Sequence, residues 1–179
     1  MEEKRFRKNL DMLDWYEALV FAVAALVLFF TFCARIVIVR GHSMEPTLHE
    51  GDRLLVQSTF YDLKLGDIVV VDGYINYGKP LVKRVIAVGG DTVDIDADAG
   101  VVYVNGQALE EPYTAELTYT EGNVEYPLTV PEGQLFLMGD NRQHSEDSRF
   151  SSIGTVDERD ILGKMLFRIY PLSSLEKIS

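Results

Sequence analysis

The 179-residue chain carries 28 acidic side chains against 17 lysines and arginines, a formal charge of −11, and 47% of its residues are hydrophobic. That acidity excludes a nucleic-acid binder, which needs a basic face, while the apolar fraction is enough to build a core. A single cysteine, Cys33, rules out an intrachain disulfide, and three histidines (His42, His49 and His144) without HExxH spacing argue against a zinc site.

In chain order, the first predicted element is a membrane anchor over residues 17–38, preceded by a cytoplasmic segment, 1–16, and followed by an extracytoplasmic β domain, 39–179. Ala18 to Ala34 contains no charge, and as a helix it reaches roughly 25 Å, which the flanking residues extend toward a full span. Trp15 and Tyr16 suit a membrane interface, and Lys4, Arg5, Arg7 and Lys8 set the N-terminus inside. A cleaved secretory signal shares the basic start and apolar middle, but this run is long and closes on Thr31-Phe32-Cys33-Ala34 rather than on a small-x-small pattern. A buried core helix is the third alternative, with nothing else in the chain helical enough to surround it.

Past the anchor, short β-type runs alternate with turn residues: 35–41, 53–58, 67–73, 80–88, 92–96, 101–104, 124–130, 134–140 and 161–171. Asn105-Gly106 tolerates the positive φ of a tight hairpin turn, and Val130 to Gly133 reads as another turn. Residues 91–132 are acidic and turn-rich, a β insert hung on a more apolar barrel. The prediction is a mainly β domain tethered by one helix.

Ser43, in Arg40-Gly41-His42-Ser43-Met44-Glu45-Pro46, is a candidate nucleophile, with several candidate bases. His42 adjoins it, but neighbours on an extended backbone point to opposite faces. His49 and His144 stay open, with Asp147 as an orienting acid. Lys83 is the stronger candidate. On a strand it shares a face with Leu81, Val85 and Ala87, an apolar row that desolvates an ammonium and lowers its pKa. Acting as a base near neutrality requires a fall of about 2 to 3 units from roughly 10.4, a cost of about 3 to 4 kcal/mol. The alternative is a strand lysine whose head snorkels into water. Arg84 cannot substitute, because a guanidinium does not give up its proton. Polar residues from Gly139 to Arg149 follow an apolar strand directly. Asp140 and Asn141 suit backbone capping in a turn. Asp147 and Arg149, two apart, are placed to pair, and Ser145 shares their parity and is suited to orienting an ammonium. Val39, Leu48, Leu81 and Val82 are the candidate walls of a small apolar substrate pocket.

Three ordered stretches resemble the bacterial type I signal peptidases, Ser/Lys proteases that remove signal peptides from exported proteins. They are Ser43-Met44-x-Pro46-Thr47-Leu48 just after the apolar run, Lys83-Arg84-Val85 with Gly90-Asp91, and Gly139 to Arg149. Gly51-Asp52 and Val104 to Tyr113 add weaker likeness. The resemblance implies a coiled β-barrel catalytic domain with a smaller β extension and one anchor. It implies Ser43 as nucleophile, Lys83 as general base, Ser145 as a supporting hydroxyl, and Asp147 and Arg149 shaping the site, with no metal or cofactor. It also implies exported preproteins as partners and a preference for short side chains before the cut. Some relatives carry a serine two residues before the nucleophile that helps bind the oxyanion; Gly41 stands there here. A non-catalytic membrane-anchored β domain that binds a partner, and a self-cleaving Ser/Lys protease, are the alternatives.

Overall fold

The computed structural model describes residues 2–73 and 77–171, with side chains from residue 12 onward. The basic residues of the N-terminal segment and the last eight residues of the expected β domain therefore lie outside the side chains described. Helix α1 runs Glu2–Phe32. None of its apolar stretch, Met12–Phe32, is buried by the rest of the molecule, and Trp15 is 79% exposed. This overturns the core-helix alternative, since none of the described residues packs around it.

The expected anchor boundary at residue 38 does not hold for the helix. Cys33 N–H closes the last turn on Phe29 O, and Ala34–Ile38 form strand β1, paired antiparallel with β2 (Arg53–Gln57). The β-branched Ile36-Val37-Ile38 favour a pleated, half-buried surface, and β2 supplies the backbone partners that a lone helix end lacks. The remaining strands are β3 (Ile68–Val71), β4 (Leu81–Val88), β5 (Thr92–Asp96), β6 (Val101–Val104), β7 (Gln107–Ala108), β8 (Leu128–Thr129), β9 (Gln134–Met138), β10 (Val156–Asp157) and β11 (Ile161–Tyr170). The run 124–130 yields only the two residues of β8, because Pro127 has no N–H to give to a ladder.

Seven strands form a curled, half-barrel antiparallel sheet in the order β1-β2-β11-β3-β4-β9-β10. Its curl follows irregularities in β11 and between Val85 and Ala87 of β4, which bend the strands and add twist. The second sheet, β7-β6-β5-β8, is the insert. Asn105 and Gly106 link β6 to β7 at φ 53° and 75°. The insert is not simply hung on the sheet. Its Val93, Ile95, Val102 and Val104 share one buried cluster with Ile86, Ala87, Phe136 and Met138 of β4 and β9. Two further buried clusters form around Met44, Leu48, Leu54 and Val56, and around Val69, Val85 and Leu137.

Candidate active site

Ser43 lies on a loop of turns between β1 and β2. Val39 N–H bonds to Asp52 O, Gly51 N–H returns to Val39 O, and Leu48 N–H closes on Met44 O. Met44 and Leu48 are buried, so Ser43 is carried on a segment pinned from below. The backbone here is not extended, so the parity argument that turned His42 away does not apply. His42 is occupied otherwise: its Nδ1 lies 2.8 Å from Glu45 Oε1 at the surface, and that hydrogen bond raises its pKa.

Lys83 sits on β4, opposite Val69, and is only 2% exposed. Leu81 and Val85 flank it in one apolar cluster. Ala87 leaves that row, because the irregularity after Val85 turns it into the insert's cluster. Burial brings the Lys83 pKa down to about 8, against the opposing pull of Asp147. Its Nζ donates to Ser145 Oγ at 3.0 Å, and Ser145 Oγ donates to Asp147 Oδ2 at 2.6 Å. Asp147 is fully buried and also accepts from Gly139 N–H at 3.0 Å and from Arg149 Nε at 2.8 Å. Burial alone would raise its pKa. The Arg149 guanidinium and the hydrogen bonds outweigh that and hold the carboxyl below its ordinary value, so it stays ionised.

The loop 139–149 joins Ser43 to this chain. Asn141 N–H donates to Ser43 O at 3.0 Å and its Nδ2 to His42 O at 3.1 Å. Asn141 thus bonds the Ser43 loop rather than capping its own turn, and Asp140 pairs with Arg84 through two bonds of 2.8 and 2.7 Å. Arg84 lies over the Tyr113 ring at 3.9 Å, and Thr47 Oγ1 also donates to Asp140. The lysine strand, the serine loop and the polar loop are therefore bonded to one another at several points.

Gly139 is the residue that sequence reasoning missed. A Cβ there would lie 2.3 Å from Ser145 Oγ and 2.4 Å from Ser43 O. Only glycine lets the serine loop and Ser145 approach so closely. The available signal was a glycine immediately after a buried strand and before Asp-Asn-Arg.

A cavity of about 320 Å3 opens beside Ser43, lined by Val37, Val39, Gly41, Leu81 and Val82 among others. Leu48, expected in its wall, is not there. It is wholly buried in the core with Leu54 and Val56, below the turn it anchors. Gly41 has φ 84°, a conformation costly to a side-chain-bearing residue, and open space where a Cβ would project. His49 and His144 line a separate groove with Glu45 and Asn141. Asp147 spends its bonds on Ser145, Gly139 and Arg149, so no His144–Asp147 pair forms. Among the described residues, no cluster of His, Cys, Asp and Glu is arranged to hold a metal ion.

A buried lysine tied to a serine–aspartate pair, with Ser43 and Ser145 meeting across Gly139, is an arrangement suited to acyl transfer by a serine activated without histidine. A family model described as signal peptidase, peptidase S26, matches residues 12–170. Signal peptidase I of Bacillus licheniformis is 38% identical over 98% of both chains. Probable signal peptidase I-1 of Synechocystis is 40% identical, covering 87% of this chain and 80% of that one. The crystal structure of a signal peptidase I from Enterococcus faecalis is 30% identical with a TM-score of 0.49, covering 59% of this chain and 98% of that one.

Proposed function

The chain belongs to the signal peptidase, peptidase S26, family, and from that premise we propose that it is a membrane-anchored serine endopeptidase that removes signal peptides from exported preproteins with a Ser43/Lys83 dyad. The observation that carries the dyad is the buried Lys83 ammonium site, with its pKa brought to about 8 and its Nζ fixed by Ser145. A neutral amine has one lone pair. With an N–H directed at Ser145 Oγ, that lone pair is free to take the Ser43 proton as Oγ attacks the scissile carbonyl. Ser145 donates its hydroxyl hydrogen bond to Asp147 Oδ2, so it offers its oxygen to the lysine and fixes the rotamer. Lys83 then gives the proton to the leaving amine, and a water cleared of its proton by the same lysine hydrolyses the acyl-enzyme. Arg149, by keeping Asp147 ionised, maintains this order of donors.

The Ser43 N–H is the first donor to the developing oxyanion, a contribution worth about 3 to 4 kcal/mol for such donors. At Gly41, a serine would face the cost of positive φ, so the second donor differs from that of relatives with a serine there. The substrate enters as an extended strand across the mouth of the cavity, with backbone bonds giving affinity and alternate side chains giving choice. Val37, Val39, Leu81 and Val82 make that cavity apolar and small, which favours short side chains before the cut. Ile36 and Ile38, exposed on the edge strand β1, and Phe167, exposed on β11 two strands in, give the domain an apolar face toward the bilayer.

The test is cleavage of a synthetic signal peptide by the purified full chain in detergent, with Ser43→Ala alongside. Cleavage after a small residue by the wild type and none by the variant is the expected result. A wild type that cleaves nothing overturns the function, and an equally active Ser43→Ala overturns the nucleophile.

A further inference from the structure

Two buried arginines of the 139–149 loop, Arg142 and Arg149, tie that loop to the insert. Arg142 Nη1 donates to Glu111 Oε2 at 2.8 Å and to Thr118 Oγ1 at 2.7 Å, while its Nη2 meets Glu111 Oε1 and its Nε donates to Gly139 O at 3.1 Å. Arg149 Nη1 donates to Thr120 O at 3.2 Å, and Arg149 O accepts from Asn123 N–H at 2.9 Å and Val124 N–H at 3.3 Å. Between them stands Gly122, at φ 82°, where a Cβ would lie 2.1 Å from Arg149 O. The turn closes on Arg149 only because residue 122 has no side chain.

Both arms end on one carboxylate. Gly139, held by Arg142 through its carbonyl, gives its N–H to Asp147 Oδ2, and Arg149 gives Nε to Oδ1 and Nη2 to Oδ2. Asp147 in turn holds Ser145, which holds Lys83. We propose that the insert segment 111–124 is a strap that positions the catalytic base, with Glu111, Thr118 and Gly122 as positioning residues acting through Arg142 and Arg149. The proposal rests on the protease function given above and extends it from the dyad to the insert. A buried cation stripped of one partner does not stay in place, because an uncompensated charge in the interior is strongly destabilising. Loosening either arm therefore moves Asp147 and admits water beside Lys83. The charged groups that face Lys83 are Asp147, Arg149, Asp140 and Glu146; of these, Asp147 and Arg149 belong to the strapped network.

The experiment compares full-length wild type with Thr118→Val, Glu111→Gln and Gly122→Ala in detergent, using a soluble signal peptide. The strap predicts kcat lower by about tenfold or more with KM within about threefold, and a rising limb of the pH profile shifted to higher pH. It also predicts faster amide exchange across residues 139–149, with β2 and β11 unchanged. Variants that fold but keep both the limb and the exchange of the wild type overturn the strap, and so does a fall in kcat with neither readout moved. If Gly122→Ala does not fold, the two milder variants decide. If the wild type itself cleaves nothing, the protease function fails, and unchanged exchange in the variants then overturns the strap independently.

Discussion

Lys83 is a charged group buried at a cost, and that cost has a sign that can be measured. Its folded pKa, about 8, lies below the ordinary 10.5. The unfolded chain therefore binds more protons between those values, and stability rises with pH across that window. Below about pH 8 the full penalty applies, about 3 kcal/mol for a shift of this size. Lys83→Met, similar in length and without charge, should be inactive yet more stable than the wild type at pH 6. The advantage should shrink as the pH approaches 10.5, as thermal unfolding at a series of pH values would reveal. A wild type as stable as the variant at pH 6 contradicts the buried ammonium. Lys83→Arg should be as inactive as Lys83→Met, because a guanidinium keeps the charge but offers no lone pair. Activity should rise through about pH 8 in the wild type, as Lys83 becomes neutral. Gly139→Ala should lower kcat by about a hundredfold, since a methyl group 2.3 Å from Ser145 Oγ forces apart groups that must align to within fractions of an ångström. A loss under about threefold would mean that the loop yields without disturbing the site. At this scale the sequence was most informative where chemistry demands a residue type. Ser43, Lys83, Ser145 and the Asp147–Arg149 spacing all stood out as patterns. Gly139 did not, because its contribution is a missing atom, which carries no side-chain signature, and Asn141, read as a turn cap, instead bonds the Ser43 loop through its backbone N–H and Nδ2. Leu48 looked like a pocket residue for the opposite reason: an apolar side chain near a nucleophile reads the same whether it faces the substrate or anchors the turn from beneath.

Among the elements, Ala34–Ile38 was claimed twice, by the β-type run 35–41 and by an anchor reaching residue 38, and the structure decides for the strand, with the helix ending at Phe32. The β-branched Ile36-Val37-Ile38 favour that strand locally, but where the helix gives way to it is set by pairing with β2, about fifteen residues and more downstream. The hairpin at Asn105-Gly106 was legible because its turn chemistry is local. The departure of Ala87 from the Lys83 row was not, because a bulge is set by the facing strand, β9. The boundary between α1 and β1 has a direct consequence. A chain beginning at Ala34 loses only the helix, whose apolar stretch no part of the β domain buries. It should fold and cleave a soluble peptide within about tenfold of the full chain, a barrier change of at most about 1.4 kcal/mol. A chain beginning at Val39 also loses β1, and with it Val37 and Ile38 from the cavity beside Ser43, and it exposes the edge of β2. That shorter chain should be inactive and prone to aggregate. Equal activity of the two chains, measured on the same peptide with circular dichroism as the folding control, would show that β1 is dispensable.

For the molecule as a whole, the relation between α1 and the β domain decides where the chemistry takes place. An exposed apolar helix of this length is unfavourable in water and is satisfied by a bilayer. The proposed orientation, with Lys4, Arg5, Arg7 and Lys8 on the cytoplasmic side, predicts that protease added outside spheroplasts digests the β domain. Digestion only after lysis would reverse that orientation. Once tethered, the enzyme shares a surface with a preprotein whose signal peptide is itself held in the membrane. Confinement of both partners raises their effective concentration without any new contact between them. The tether should therefore separate two substrates that the active site treats alike. The full chain in vesicles should cleave a membrane-inserted preprotein about a hundredfold faster than the chain beginning at Ala34 at equal enzyme concentration, the scale that effective-concentration gains reach. On a short soluble peptide the two should agree within about tenfold, because Ser43, Lys83 and the cavity are built without any residue of α1. If the chain without its helix cleaves the inserted preprotein as fast as the full chain does, the helix gives no kinetic advantage in this reaction and anchoring must serve location alone.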